Sequence, residues 1–307
     1  MSGPVFVHLR LHSEFSVTDG TVRIDQAVAR AAADGMPALA ITDLANVFGM
    51  VKFYKAARAA GVKPVIGVDC WITNDADRDK PHRLLLIVRS AAGYRSLCGV
   101  LSRAWLANQH RGRAEIRREW LAEGGGGLIA LSGGMAGDVG SAILAGNETQ
   151  ALRAAQGWAS IFPNAYYLEL QRAGAPNTEP YVDGALQVAT RLGLPVVATH
   201  PVQFLRADEF NAHEARLCIA EGYVLSDRRR PRLFTPECYF KSQAEMAALF
   251  ADLPEALTNA VEIAKRCNLT LELGRHALEV GDHAFNLGYS PSLLINLKFL
   301  QADQRFA

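Results

Sequence analysis

An α/β architecture, either a barrel or a doubly wound sheet, is the fold class this sequence predicts, on three observations. Seven short apolar runs of strand length recur along the chain, at 5–9, 38–42, 64–68, 84–88, 128–131, 166–170 and 195–199. Each is nearly continuous in apolar residues rather than alternating, the pattern of strands buried on both faces of a parallel sheet. Helical patterns fill the intervals, and strands alternating with helices build barrels and doubly wound sheets.

The helices follow in order. Between the first two runs, Ile24, Ala27, Val28, Ala31 and Ala32 form the i, i+3, i+4, i+7, i+8 stripe of a core-facing helix. Gly35 then stands where a helix end wants positive φ, and Pro37 follows it. The stretch 46–60 repeats the pattern and stops at Gly61. Further helices are expected over 92–108, 138–145, 149–161, 177–192, 208–221 and 242–251, and a stripe of Leu257, Ala260, Val261 and Ala264 precedes Asn268. Beyond the last strand run the pattern is all helical, so a helical subregion is expected to close over the sheet from about residue 205.

Composition excludes several classes. The chain has 307 residues, 50% of them hydrophobic, with 32 Lys and Arg against 31 Asp and Glu. That is far too apolar for a disordered chain, and near-neutral charge argues against wrapping nucleic acid by bulk electrostatics. No apolar run spans a bilayer, and the first residues lack the layout of a secretory signal. Five scattered cysteines, without a CxxC pair, suggest neither a disulfide framework nor a cysteine zinc site. A soluble, cytoplasmic protein is expected.

If the strands are parallel, chemistry belongs where each ends. Arg10, His12 and Asp19 follow the first, Asp43 the second, and Asp69 ends the third. Ser132, Gly133, Gly134 and Asp138 follow the fifth; His200, Pro201 and Gln203 follow the seventh. Carboxylates and a histidine on one rim are material for a metal site that activates water. The plainer alternative is that such residues cap helices and make Asx-turns.

Two long stretches, FVHLRLHSEFSVTDGTVRIDQAV and GMPALAITDLANVFGMVKFYKAARAAGVKPVIGVD, closely resemble the N-terminal PHP (polymerase and histidinol phosphatase) domain of bacterial DNA polymerase III alpha subunits. LIALSGGMAGDVG, LGLPVVATHPVQFL, DEFNAHEARLCIAEG and LFADLPEALTNAVEIAKRCNLTLELG extend the resemblance over about residues 5–274. It implies a distorted seven-stranded (β/α) barrel, about 5–205, with a helical subregion, about 206–274, in a domain spanning 1–274. Metal-binding relatives hold Zn²⁺ or Mn²⁺ on His, Asp, Glu and Cys ligands at the barrel rim.

Carried over position by position, the ligand set is mostly lost. His12, Asp19 and Asp69 are kept, while Arg10, Leu44, Arg83, Gly134, Pro201 and Gln203 stand where the resemblance implies ligands. His82 lies one residue off register from Arg83. The rim is therefore expected to be vestigial and empty, with no cofactor in this chain. Arginine is always charged and matches carboxylates bidentately. Arg10 and Arg83 are expected to replace the missing metal charge by neutralising Asp19 and Asp69; the alternative is that both point to solvent.

Two basic clusters remain, 110–120 (HRGRAEIRREW) and 227–232 (DRRRPR). Arg111, Arg113, Arg117, Arg118, Arg228, Arg229 and Arg230 are candidates for contact with phosphates or an acidic partner. The plainer reading is solvated charge, since no aromatic ladder interleaves with them. Trp71, Trp105, Trp120 and Trp158 read as packing, and Cys70 as a small buried hydrophobe. Residues 275–307 carry no resemblance; a frame change in a longer gene is the favoured origin and a deliberately chosen end the alternative. The tail is expected to be poorly ordered or loosely docked, with a short amphipathic helix after Ser290 and Pro291.

The resemblance implies a portion of a replicative DNA-directed DNA polymerase (a nucleotidyltransferase using Mg²⁺), cut before the polymerase core. Its expected role is scaffold and docking surface for the proofreading exonuclease subunit, among other polymerase III holoenzyme subunits. DNA would be met through the parent polymerase, and no membrane is involved. The alternative is a stand-alone metal-dependent phosphoesterase or 3′–5′ exonuclease built on His12, Asp19 and Asp69, with Asp43 or His200.

Overall fold

Buried stripes set where the helices lie. In α1 (Ile24–Ala33) the buried residues are Ile24, Ala27, Val28 and Ala31, and Gly35 beyond it has φ +67°. The computed structural model describes residues 6–273, so the expected tail helix lies outside the described residues. After α1 come β1 (Ala38–Ile41), α2 (Met50–Ala59), β2 (Lys63–Ile72), β3 (His82–Val88), α3 (Ala91–Ala107), β4 (Gln109–His110) and β5 (Arg113–Ile116). Then follow α4 (Arg118–Gly124), β6 (Leu128–Leu131), α5 (Asp138–Leu144), α6 (Glu148–Ile161), β7 (Tyr166–Gln171), α7 (Thr178–Leu192) and β8 (Val196–Thr199). The chain continues through α8 (Phe210–Glu221), α9 (Gln243–Leu249) and α10 (Pro254–Arg266).

The eight strands form one mixed sheet in the order β4-β5-β2-β3-β6-β7-β8, with β1 also paired to β2. β1 with β2, β2 with β5, β6 with β7 and β7 with β8 run parallel. β3 corrects the all-parallel expectation, being antiparallel to both β2 and β6. Its link to β2 is the polar stretch 73–81, TNDADRDKP, whereas a parallel neighbour needs a crossover of about a dozen residues or more. The two strands fold back as a hairpin, in register from Gly67 opposite Ile87 to Ile72 opposite His82. β4 and β5 make a second antiparallel pair that no apolar run announced.

The first apolar run forms no regular strand among the described residues, yet hydrogen bonds hold it in line. His8 O accepts from Ala40 N and Leu11 O from Thr42 N, both at 2.9 Å. His12 N donates to Val202 O at 3.0 Å, and Leu11 bridges Val202 in parallel. The segment carrying Arg10 and His12 is thus tied both to β1 and to the chain leaving β8.

One apolar core runs through the sheet and its helices, with Phe53, Trp158, Phe162, Tyr166 and Tyr181 fully buried. Trp120 and Cys70 are buried as expected, whereas Trp105 is 39% exposed. Beyond β8, α10 is pinned to the sheet by Asn259 Nδ2 donating to Val196 O at 2.8 Å. The irregular stretch between α8 and α9 returns to the sheet end through the Phe204–Tyr239 bridge.

Candidate functional site

Five of the predicted rim residues meet in one buried ionic network. Arg10 and His12 come from the N-terminal segment, Asp69 from β2 and Arg83 from β3. Asp19 is brought back by a one-turn 3₁₀ helix, Glu14–Ser16, capped by the Ser13 side chain. Val17 then makes a γ-turn, with φ 69° and ψ −58° and Thr18 N donating to Ser16 O at 2.8 Å.

Asp69 is the hub. Arg10 Nη1 and Arg83 Nη2 both donate to its Oδ2, and Arg83 Nε donates to Oδ1 at 3.2 Å. Arg83 stands opposite Trp71 in the β2–β3 register, and its guanidinium lies 4.2 Å from that ring's centroid. A cation over an aromatic face is stabilised by the ring quadrupole. Burial alone would raise the Asp69 carboxyl, but the charges of Arg10 and Arg83 overcome it and hold the group far below the usual carboxylate range.

Arg10 uses its other edge on Glu169 of β7, with Nε to Oε1 at 2.7 Å and Nη2 to Oε2 at 2.9 Å. Glu169 also accepts from Gly133 N at 3.1 Å, Gln171 Nε2 at 3.0 Å and Thr199 Oγ1 at 2.5 Å. Sequence reasoning missed Glu169 because it searched strand ends for ligands. The signal was a lone acid between Leu168 and Leu170 in a buried strand, where an ionised side chain needs a fixed cation.

His12 takes the remaining acid. Its Nδ1 donates to Asp19 Oδ2 at 2.9 Å, and Nε2 lies 3.2 Å from Asp69 Oδ2, out of line for a hydrogen bond. Burial favours neutral imidazole, but the two carboxylates outweigh it and push the His12 pKa up to about 9. Asp19 also accepts from Ser16 Oγ at 2.5 Å. Burial opposes its ionisation, yet the His12 charge holds it below its ordinary value. The expectation that arginines neutralise Asp19 is corrected in part: both guanidiniums bind Asp69 directly, His12 is the contact partner of Asp19, and Arg83 favours the Asp19 carboxylate only through its charge at a distance.

The other rim residues stay outside the network. Asp43 accepts from Ser13 N at 2.6 Å and Ser13 Oγ at 2.9 Å; burial raises its pKa to about 6, with Ser13 only partly compensating. Asp138 binds Trp158 Nε1 at 2.9 Å, so both acids take the capping and positioning role. Leu44 N donates to Ser16 Oγ at 2.9 Å. Gly134 has φ +61° against the Gln171 side chain. Pro201 is half-buried, and Gln203 is bound through its backbone, N to Cys238 O at 2.9 Å. His200 is buried with Nε2 donating to Glu237 O at 2.8 Å, and burial pulls its pKa to about 3.

The retained trio does not fit a metal ion. His12 is an imidazolium, Asp69 has both oxygens on guanidiniums, and Asp19 is bound by His12 and Ser16. Among the described residues, no three His, Cys, Asp or Glu are placed to hold a cation. The basic clusters are also largely engaged within the chain. Arg111 pairs with Asp79 at 2.9 Å, Arg113 donates to Arg78 O at 3.0 Å, and Arg117 lies 3.8 Å from Glu119. Arg118 donates to Ala154 O at 2.9 Å and stacks 4.0 Å from the Trp158 ring centroid. Arg229 pairs with Asp227 at 2.8 Å and Arg230 with Glu214, whereas Arg228 is exposed and makes no ion pair among the described residues.

Comparison with known proteins gives a consistent family. The DNA polymerase III alpha subunit of Neisseria meningitidis serogroup A is 53% identical over 283 residues, covering 91% of this chain and 25% of that protein. The alpha subunits of Pseudomonas fluorescens and Escherichia coli K12 are 47% and 45% identical, over 89% and 91% of this chain and 23% and 24% of their own length. This chain thus spans about a quarter of the length of these curated relatives. Among solved structures, an amidohydrolase from Chromobacterium violaceum is 13% identical with a TM-score of 0.44, covering 79% of this chain and 96% of that one. The PHP domain family matches residues 8–173, more than half of the sequence and all of the network from Arg10 to Glu169, and the chain belongs to that family.

Proposed function

We propose that this chain is the PHP portion of a DNA polymerase III alpha subunit, serving DNA replication as a metal-free scaffold. Its partner would be the proofreading exonuclease subunit, docked on it beside the polymerase. The observation that carries this reading is Asp69 held between Arg10 and Arg83, where metal-binding relatives hold a cation. Two fixed guanidiniums supply the positive charge a metal would bring, and no water-activating centre remains. The segment 6–13, tied to β1 and to Val202, would close the sheet into the distorted barrel of the family. The whole unit would span 1–274.

Elemental analysis of the purified chain after dialysis tests this reading. Less than about a tenth of an equivalent of zinc or manganese is expected, whereas a stoichiometric, tightly held ion of either element overturns it. The phosphoesterase alternative has its own test, hydrolysis of p-nitrophenyl phosphate with manganese. Hydrolysis abolished by His12→Ala would establish that alternative. No primer extension by the chain alone is expected.

A further inference from the structure

α8 is built inside out. It buries His213, Glu214 and Cys218 while Ile219 is 84% exposed. The loop that follows returns over the helix: Arg230, bound to Leu225 O at 3.3 Å, forms an ion pair with Glu214. Along this fold-back Val224, Leu225 and Leu233 are also exposed. One turn before Ile219, Arg216 Nη2 donates to Val17 O at 2.9 Å and Glu14 O at 3.1 Å. That contact carries the surface on to Val17, 61% exposed at the tip of its γ-turn. A β-branched residue with φ +69° is strained, and here the strain holds an apolar side chain out in water.

Two cations belong to the same loop. Arg228 and Arg232 are exposed and make no ion pair among the described residues, unlike Arg229 and Arg230 between them. Exposed aliphatic side chains along a helix end and the loop that folds back on it, with unpaired arginines in the same loop, are the composition of a protein interface rather than of ordinary surface. Single-stranded nucleic acid needs aromatic faces on which bases stack, and the one Phe, Trp or Tyr ring within 216–233, Tyr223, is half-buried. Glu221, between Ile219 and Val224, is also exposed and makes no ion pair among the described residues, so two cations stand against one carboxylate and the balance is positive.

We infer that Val17, Ile219, Val224, Leu225 and Leu233, with Arg228 and Arg232, form a docking surface for an acidic amphipathic segment of a partner protein. Aliphatic residues of the segment cover the apolar cluster and its carboxylates pair with the two arginines, the complementarity that steers and orients such complexes. This inference rests on surface composition alone, and stands whether or not the exonuclease subunit is the occupant.

Fluorescence anisotropy of the intact chain tests it. The probe is a labelled synthetic helix with leucines on one face and glutamates on the other. Saturable binding is expected, weakened about tenfold or more by Ile219→Asp and by the double change Arg228→Glu with Arg232→Glu. Hydrogen exchange should slow across 214–233 when the peptide is added. All three changes lie on the exposed surface, and circular dichroism confirms that each variant is folded. Absence of binding, or binding indifferent to both variants, overturns the inference. So does equal, equally variant-sensitive binding of a lysine-for-glutamate peptide or of a single-stranded oligonucleotide.

Discussion

Arg10 and Glu169 meet through two parallel hydrogen bonds across 159 residues of chain. The pair is fully buried, and Arg10 simultaneously holds Asp69, so one guanidinium compensates two carboxylates that water cannot reach. Removing it leaves both acids without their shared cation. Arg10→Ala is therefore expected to lower unfolding free energy by about 3–5 kcal/mol, read from urea titration. A loss below about 1 kcal/mol would mean the acids find other partners or protonate cheaply.

Stability should peak near pH 6.5. The folded pKa of His12 is about 9, above its unfolded value, so its contribution is complete below about pH 6.5 and fades as pH rises through 9. His8 and His200 act oppositely. Burial holds them neutral, with folded values of about 4 and 3, so their contribution is complete above about 6.5 and fades as pH falls. Urea titrations across pH should show both limbs, the alkaline limb amounting to about 3 kcal/mol. His12→Gln should flatten the alkaline limb and leave the part of the acid limb that His8 and His200 supply.

Gly133 carries the backbone donor to Glu169, at φ +79°. A Cβ there would lie 2.2 Å from Arg83 O, which has no room to move while Arg83 binds Asp69. Gly133→Ala should cost about 3 kcal/mol or more, a drop visible in thermal melting by circular dichroism. An unchanged melting temperature would show that β3 yields at this point.

Val17→Gly removes a β-branched residue from positive φ. A stability gain of about 1 kcal/mol is expected in the same urea assay, offset in part by the extra freedom of glycine in the unfolded chain. Affinity for the acidic peptide should fall in the same variant, because the exposed side chain is gone. A variant less stable than the parent would show that the turn is not strained.

Much of this architecture was legible from the chain because burial on both faces leaves an unmistakable apolar run. β1, β6, β7 and β8 fall on such runs, as do the cores of β2 and β3. Strand direction was not legible, since the reversal of β3 depends on the reach of 73–81 rather than on the strand's own residues. β4 and β5 were hidden because QH and RAEI are short and polar. At the rim, the ligand pattern brought Arg10, His12, Asp19, Asp69 and Arg83 to notice. Which cation serves which acid is a matter of three-dimensional approach, and only the folded chain pairs Asp19 with His12 and brings Glu169 to Arg10.

The hydrogen bond from His12 to Val202 also bears on how the molecule is made. A ribosome delivers the Phe6–Leu11 segment well before its partners: Val202, which pairs with Leu11 and His12, and Lys241, which receives the His8 ring at 2.8 Å, arrive some two hundred residues later. During that interval the apolar side chains of Phe6, Leu9 and Leu11 have only part of their final cover. Closing so long a loop is slow, and exposed strand-forming chain is prone to wrong pairing meanwhile. The Phe6–Leu11 segment thus stays unfinished until Val202 and Lys241 have been made, and that window is where chaperones would matter most to its folding.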